Sequence, residues 1–131
     1  MIKFLFKIKT IFHISNIFLI FLYIYPGSFL GCFAYNDCDF DPQITRDFFI
    51  SSNHLYAFIT LSTLGILAYK NNFKINIMIL YLFFLSIFLE LLHFIIPVRV
   101  FQLSDLFGNL FGVLLSIMIY KILSIYEKFK K

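Results

Sequence analysis

Four apolar segments, each close to the length of a membrane-spanning helix, constrain this chain more than any other feature of its sequence. They run over about 11–30, 52–69, 75–96 and 104–125. A helix of about 20 residues spans the roughly 30 Å hydrocarbon core of a bilayer. Since a helix satisfies its own backbone hydrogen bonds in lipid, the pattern predicts an all-α fold, a four-helix transmembrane bundle.

The composition excludes several classes of protein. Hydrophobic residues make up 61% of the 131 residues and charged residues only 14%, against roughly 45–50% and 25% in soluble domains. A soluble domain this small buries too little of its chain to hide so much apolar surface. A soluble enzyme, a disordered tail and a nucleic-acid-binding domain are excluded. The chain is expected to form one multi-pass domain over 1–131 in the cell (plasma or inner) membrane, with the lipid bilayer as its partner.

The positive charges predict how the chain is oriented in the membrane. Nine of the eleven lysines and arginines lie at the N-terminus, in the turn Lys70–Lys74 and towards the C-terminus, and the other two are Arg46 and Arg99. Cytoplasmic loops carry an excess of Lys and Arg. Both termini and the Lys70–Lys74 turn are therefore expected in the cytoplasm, and the acidic loop 31–51 is expected outside.

The N-terminal segment and the two cysteines leave alternatives open. A basic start, an apolar run and small residues before Cys32 are also typical of a cleaved secretory or lipoprotein signal. Cys32 and Cys38 lie in the outward loop, where an oxidising compartment favours a disulfide over free or lipidated thiols. Two cysteines are too few for a typical zinc site. The sequence predicts no metal and no cofactor.

Ionisable side chains in the last two segments indicate a polar site. A charged residue inside a spanning helix costs about 2.5–3.5 kcal/mol on insertion scales, so it needs a partner or a water-filled cavity. Glu90 and His93 share one helical face near the end of the third segment, and Asp105 and Asn109 share one at the start of the fourth. The connection between these segments is short and contains Arg99, so the two pairs are expected to meet.

Other residues complete this predicted site. His54 lies near the start of the second segment, at a similar depth. Ser104 is the predicted N-cap of the fourth helix, and Asp105 complements its dipole. Gly108 and Gly112 permit close helix packing. The predicted polar cluster comprises His54, Glu90, His93, Arg99, Asp105 and Asn109.

The stretch from Glu90 to Gly112 resembles the signature of the VanZ-like membrane protein family. That signature reads Glu-x-x-Gln, then Pro-Gly-Arg, then Asp, Asn and Gly at fixed spacing. The positions that fall on it are Glu90, Pro97, Arg99, Asp105, Asn109 and Gly112. The segment beginning at His54 resembles the second helix of the family, and the likeness covers about the last 80 residues.

The chain departs from that family pattern at three places. His93 stands where the family usually has Gln, Val98 where it usually has Gly, and Ile50-Ser51 where it usually has Asp-Lys before the histidine. The family is named for a glycopeptide-resistance accessory protein associated with reduced teicoplanin susceptibility. The resemblance therefore implies a fold, a polar site and a link to this resistance.

Three functions are compatible with the predicted cluster. The first is a non-enzymatic site in the outer leaflet for a lipid head group or a peptidoglycan-precursor moiety, with Arg99 pairing with phosphate or carboxylate. The second is an intramembrane hydrolase or transferase that acts on a lipid-linked substrate. In this alternative Glu90, Asp105, His54 and His93 supply acid–base chemistry or a metal site. The third is a structural clamp in which Arg99 neutralises Glu90 or Asp105 and binds no ligand. No catalytic residue is predicted under the first interpretation.

Overall fold

The computed structural model describes residues 2–130, with side chains described from residue 7 onward, so Met1 and Lys131 lie outside it. Within this range the chain is all-α, with five helices and no strand. The helices are α1 (Ile2–Ile24), α2 (Phe29–Tyr35), α3 (Ser52–Tyr69), α4 (Ile75–Leu92) and α5 (Leu103–Phe129). Three segments are long and apolar enough to cross a membrane: Lys7–Ile24, Ile75–Leu92 and Leu103–Phe129.

Helix α3 lies at the centre of the packing and contacts α1, α4 and α5. The core contains Phe12, Phe58, Leu82, Leu89 and Val113, each at most 1% exposed. Successive long helices run in opposite directions. We call the end that contains His54, Glu90 and Asp105 the polar end, and the end that contains Lys9, Lys70 and Lys74 the basic end.

The first helix differs from the predicted segment 11–30. Helix α1 covers Ile2–Ile24, because no Gly or Pro precedes Pro26 and the helix continues through the basic start of the chain. It ends before Pro26, which lacks the backbone N–H that the next turn needs, and Gly27 then takes a positive φ of 82°. The loop predicted over 31–51 is shorter in the structure, because helix α2 continues to Tyr35.

The last two long helices also shift relative to their predicted bounds. Helix α4 ends at Leu92, and tighter turns continue from there towards Pro97. Helix α5 begins at Leu103 with Gln102 as its N-cap, so the predicted Ser104 cap is wrong. The Gln102 carbonyl accepts the first helical N–H groups, which places Ser104 inside the first turn. Its hydroxyl donates to Asp105 Oδ1 at 3.2 Å instead.

Candidate functional site

Two glycines of α5 let this helix approach the start of α3 closely. A Cβ at Gly108 would lie 2.7 Å from the Ser51 carbonyl oxygen, and a Cβ at Gly112 would lie 2.8 Å from that of Leu55. Because backbone atoms occupy this space, a larger residue would push the helices apart. The close approach places Asn109, which follows Gly108, inside the packed interface.

Asn109 is a fully buried amide that joins the four long helices. Its Nδ2 donates to the Ser86 carbonyl oxygen of α4 at 3.1 Å. Its Oδ1 accepts from the Tyr23 hydroxyl of α1 at 2.6 Å and lies 3.1 Å from His54 Nδ1 of α3. The Tyr23 hydroxyl also lies 2.9 Å from His54 Nδ1, so Tyr23, His54 and Asn109 form one hydrogen-bonded cluster.

Glu90 is fully buried, and its two carboxylate oxygens have different surroundings. Oε1 accepts the backbone N–H of Gln102 at 3.1 Å and lies 3.2 Å from His93 Nδ1. Oε2 has no hydrogen-bond partner and lies 3.8 Å from His54 Nδ1. The carboxylate thus orients His93, whose buried Nε2 also has no partner.

His54 lies between the two carboxylates. Its Nε2 is 3.5 Å from Asp105 Oδ2, and each of these side chains is 15% exposed. One ligating atom from each of His54, Glu90 and Asp105 lies within 4.8 Å of the others. The predicted pairs from α4 and α5 do meet, and His54 of α3 joins them.

Arg99 lies at the same end of the molecule but has other partners. Its Nη2 donates to the Leu22 carbonyl oxygen at 3.1 Å, and its Nε donates to that of Tyr25 at 3.2 Å. The donor for Leu22 in a continuous helix would be the N–H of Pro26, which does not exist. Arg99 therefore closes the end of α1. In the described part of the chain Arg99 forms no ion pair with a carboxylate, so the clamp alternative, in which Arg99 neutralises Glu90 or Asp105, is not observed.

A cavity of about 460 Å³ opens beside this cluster, between α1, α3 and the loop that follows α2. Ligand pockets typically have about 300–1,000 Å³. Its lining includes polar and charged side chains: Tyr23, Asp41, His54, His93 and Arg99, together with Ser15, Ser28, Asn53 and Thr60. The rest is mostly apolar and includes Phe18, Leu19, Leu22, Ala57 and Leu61. The cavity can therefore hold a molecule with a polar head and an apolar tail.

Tyr23 is a central residue that the sequence prediction missed. Its hydroxyl contacts Asn109 Oδ1 and His54 Nδ1, and its ring stacks on His93 at a centroid distance of 5.6 Å. Tyrosine is common near the ends of apolar segments, so its presence there carried no distinct signal. A buried tyrosine hydroxyl needs a partner, and that requirement is the only hint in the sequence.

Cys32 and Cys38 form a disulfide at a Cα–Cα distance of 4.1 Å. The Cys38 carbonyl accepts the Ser28 N–H at 2.8 Å, and Ser28 lines the cavity. The disulfide therefore holds the chain segment that borders the cavity.

Comparison with known families identifies the chain's family. The family model VanZ/LLP1 matches residues 4–124. The match therefore covers the first helix as well as the last 80 or so residues, on which the resemblance in the sequence was based. Neither the search of curated proteins nor the search of solved structures found a match.

Proposed function

Because this chain belongs to the VanZ/LLP1 family and is a membrane protein with three apolar helices of spanning length, we propose that it binds an envelope lipid. The ligand is a lipid head group or a lipid-linked peptidoglycan-precursor moiety, held at the polar end without chemical conversion. The observation that carries this proposal is the cavity of about 460 Å³, whose lining combines charged and polar side chains with apolar ones.

The proposed topology has four spans in the plasma membrane of a cell envelope, with both termini in the cytoplasm. Helix α3 is the fourth span, although its polar residues lower its hydropathy. Because α3 packs against the other three long helices, its polar side chains Ser62 and Asn53 need not all face lipid. Ser62 is fully buried, and the Asn53 amide donates to the Pro42 carbonyl. The positive-inside rule then places the polar end at the outer leaflet.

This topology is tested by labelling with a membrane-impermeant maleimide. In a chain carrying Cys32→Ser and Cys38→Ser, Asp47→Cys should be labelled in intact cells. Lys70→Cys should be labelled only after the membrane is permeabilised. The reverse pattern would contradict the orientation.

Arg99 supports binding of an anionic head group. Its Nε and Nη2 groups are fixed by two backbone carbonyls, which leaves the other guanidinium N–H groups for a phosphate or carboxylate. A side chain already held in place loses less entropy on binding. His93 also lines the cavity, and its buried Nε2 has no hydrogen-bond partner, so this nitrogen is left for a hydrogen bond with a hydroxyl or amine of the ligand.

The apolar part of the cavity lining supports the binding of an acyl or isoprenoid chain. It includes residues from the facing sides of α1 and α3: Phe18, Leu22, Ala57 and Leu61. Burial of an apolar chain there contributes roughly 25 cal/mol per Å² of area removed from water. The gain is smaller for a lipid that moves from the bilayer, so the head group determines which lipid binds.

Native mass spectrometry of the protein in mild detergent tests the proposal. The wild type should retain a lipid, and Arg99→Gln should weaken retention about tenfold or more, because charge-assisted hydrogen bonds are lost. Arg46→Gln, in an exposed loop, is the matched control and should bind normally. Ala57→Phe should fill the cavity and block retention without changing charge. Equal retention by all four proteins would refute the proposal.

The family resemblance supports a link to glycopeptide response. Capture of a lipid-linked peptidoglycan precursor would place this chain next to the target of teicoplanin. Deletion should therefore change teicoplanin susceptibility, and complementation with Arg99→Gln should fail where Arg46→Gln succeeds. An unchanged susceptibility would remove this link and leave the lipid site to be judged by mass spectrometry.

One observation favours an enzyme as the second candidate. Glu90 holds His93 by Nδ1 and leaves Nε2 without a partner beside the cavity, which is how a carboxylate orients a histidine that acts as a general base. Turnover of a lipid-linked substrate by the purified protein, lost in His93→Gln, would support an intramembrane hydrolase or transferase. Retention of intact lipid would favour binding alone.

A further inference from the structure

We propose that His54, Glu90 and Asp105 form a binding site for one divalent transition-metal ion, Zn²⁺ or Mn²⁺. The three side chains come from α3, α4 and α5, and their ligating atoms lie within 4.8 Å of one another. The ion is distinct from the lipid proposed above, so the two proposals can fail independently.

The first argument is the geometry around His54. Its Nδ1 lies 2.9 Å from the Tyr23 hydroxyl and 3.1 Å from Asn109 Oδ1, while its Nε2 faces Asp105 Oδ2 at 3.5 Å. Metal-binding histidines typically use one ring nitrogen for the metal and the other for a hydrogen bond to an oxygen. This arrangement leaves His54 Nε2 for a metal ion that is shared with Asp105.

The second argument is the unpartnered carboxylate oxygen. Glu90 is fully buried, and its Oε2 has no hydrogen bond. A proton shared between His54 and Asp105 would satisfy Asp105 and leave this oxygen without a partner. A metal ion satisfies all three groups together, and a buried carboxylate needs such compensation.

The third argument is the charge of the surroundings. Within residues 2–130 the ion-pair partners of Glu90 and Asp105 are His54 and His93, and none is a lysine or arginine. Arg99 donates to backbone carbonyls and forms no ion pair with either carboxylate among the described residues. Two carboxylates close together in a half-buried site favour a divalent cation over a second unpaired negative charge.

The donor set selects the class of metal. One imidazole favours Zn²⁺ and other transition ions over Mg²⁺ and Ca²⁺, which prefer all-oxygen sites. Two ligands about 2.0–2.2 Å from a tetrahedral ion lie roughly 3.5 Å apart, and the His54–Asp105 separation is 3.5 Å. Three protein ligands leave a position for water or for a polar group of a bound molecule.

Metal analysis of the purified protein tests this site. The protein is purified with an affinity tag that contains no histidine, equilibrated with Zn²⁺ or Mn²⁺, desalted and measured by elemental mass spectrometry. We expect about one ion per wild-type chain and at least about tenfold weaker binding in His54→Gln and Asp105→Asn. The controls should bind as the wild type does. His13→Gln repeats the histidine change at an exposed position, and Glu127→Gln likewise replaces an exposed carboxylate by its amide.

A second measurement keeps the test valid if one variant folds poorly. Each variant is checked by gel filtration and helical circular dichroism, and Zn²⁺ should raise the unfolding temperature of the wild type and the controls only. Asp105 is partly exposed, so its isosteric amide is the variant expected to keep the fold. No bound ion in the wild type, equal binding in Asp105→Asn, or a preference for Mg²⁺ or Ca²⁺ would overturn the proposal.

Lipid retention separates the two proposals when it is measured on protein from which metal has been removed with a chelator and, in parallel, on the metal-loaded protein. Lipid bound without any metal capacity would refute the metal site and leave the lipid site standing. Metal bound at one equivalent without lipid would give the opposite result.

Discussion

The two ends of the helix bundle place the same residue types in opposite environments. At the polar end His54 and His93 are 15% and 3% exposed in their side chains and contact Glu90 or Asp105. At the basic end His13 is exposed and its Nε2 lies 3.2 Å from the Tyr69 hydroxyl. A histidine in an apolar segment is therefore not informative by itself. Such a histidine indicates a polar site only where buried acidic side chains lie next to it.

The charged residues show the same contrast. Lysines at the basic end lie at the surface, and Lys9 Nζ is 5.1 Å from the centre of the Tyr69 ring. This arrangement suits a membrane–water interface, where aromatic and basic side chains collect. At the polar end, Glu90 and Asp105 instead lie inside the helix bundle on either side of His54. Substitutions at the polar end should therefore cost more stability than matched substitutions elsewhere.

The largest effect is expected for Glu90→Ala. It leaves the Gln102 N–H and His93 Nδ1 without their acceptor, and removal of one partner from a buried polar pair costs about 3–5 kcal/mol. Unfolding by SDS in mixed micelles measures this loss. Glu127→Ala, at an exposed position near the basic end, should leave the unfolding midpoint unchanged. Equal midpoints for the two variants would mean that the buried network does not stabilise the fold.

A somewhat smaller effect is expected for Asn109→Ala. The substitution removes the acceptor of Tyr23 and the donor to Ser86, and each buried group left unsatisfied costs about 1–3 kcal/mol. Asn16→Ala is the control, since its amide makes one exposed bond to the Tyr81 hydroxyl. The same unfolding assay should give a larger shift for residue 109. A larger shift for residue 16 would contradict the central position of Asn109.

Two glycines of the bundle compare backbone packing with side-chain packing. Gly112→Ala places a Cβ 2.8 Å from the Leu55 carbonyl oxygen, whereas Gly65→Ala meets the Phe12 ring at 3.0 Å and other movable side chains. Overpacking against a fixed backbone costs about 1–3 kcal/mol. Gly112→Ala should therefore lower the melting temperature more than Gly65→Ala does. A greater loss for Gly65→Ala would show that the α3–α5 contact is adaptable.

The smallest effect is a gain in stability. Val98 has a φ of 69°, in the left-handed region that β-branched residues rarely adopt. The VanZ-like family usually has Gly at this position, and glycine adopts this conformation without steric cost. Val98→Gly should stabilise the protein by about 1 kcal/mol, measured as a higher unfolding midpoint. Destabilisation would mean that the valine side chain contributes more than its backbone costs.

The polar cluster could be predicted from the sequence because most of its residues lie close together in the chain. Helical spacing pairs Glu90 with His93 and Asp105 with Asn109, and the short connection brings the two pairs together. The apolar pattern also predicted α3 over 52–69, the bounds that the structure has. Each of these inferences needs only periodicity and chain length.

The partners of Arg99 and Tyr23 depend on contacts between residues far apart in the chain. One alternative from the sequence paired Arg99 with a carboxylate. In the structure, Pro26 leaves the Leu22 carbonyl without its helical donor, and the Arg99 guanidinium donates to this carbonyl instead. The Tyr23 hydroxyl reaches Asn109 across the bundle. Spacing along one helix cannot reveal such contacts, because they require the relative positions of α1, α4 and α5.

Photo-crosslinking with a lipid that carries a diazirine next to its head group tests the central claim most directly. The account predicts that crosslinks mapped by mass spectrometry concentrate on peptides containing Tyr23, His54 and Arg99, and that Ala57→Phe removes them. Crosslinks spread evenly over the exposed outer faces of α4 and α5, and unchanged by Ala57→Phe, would contradict it.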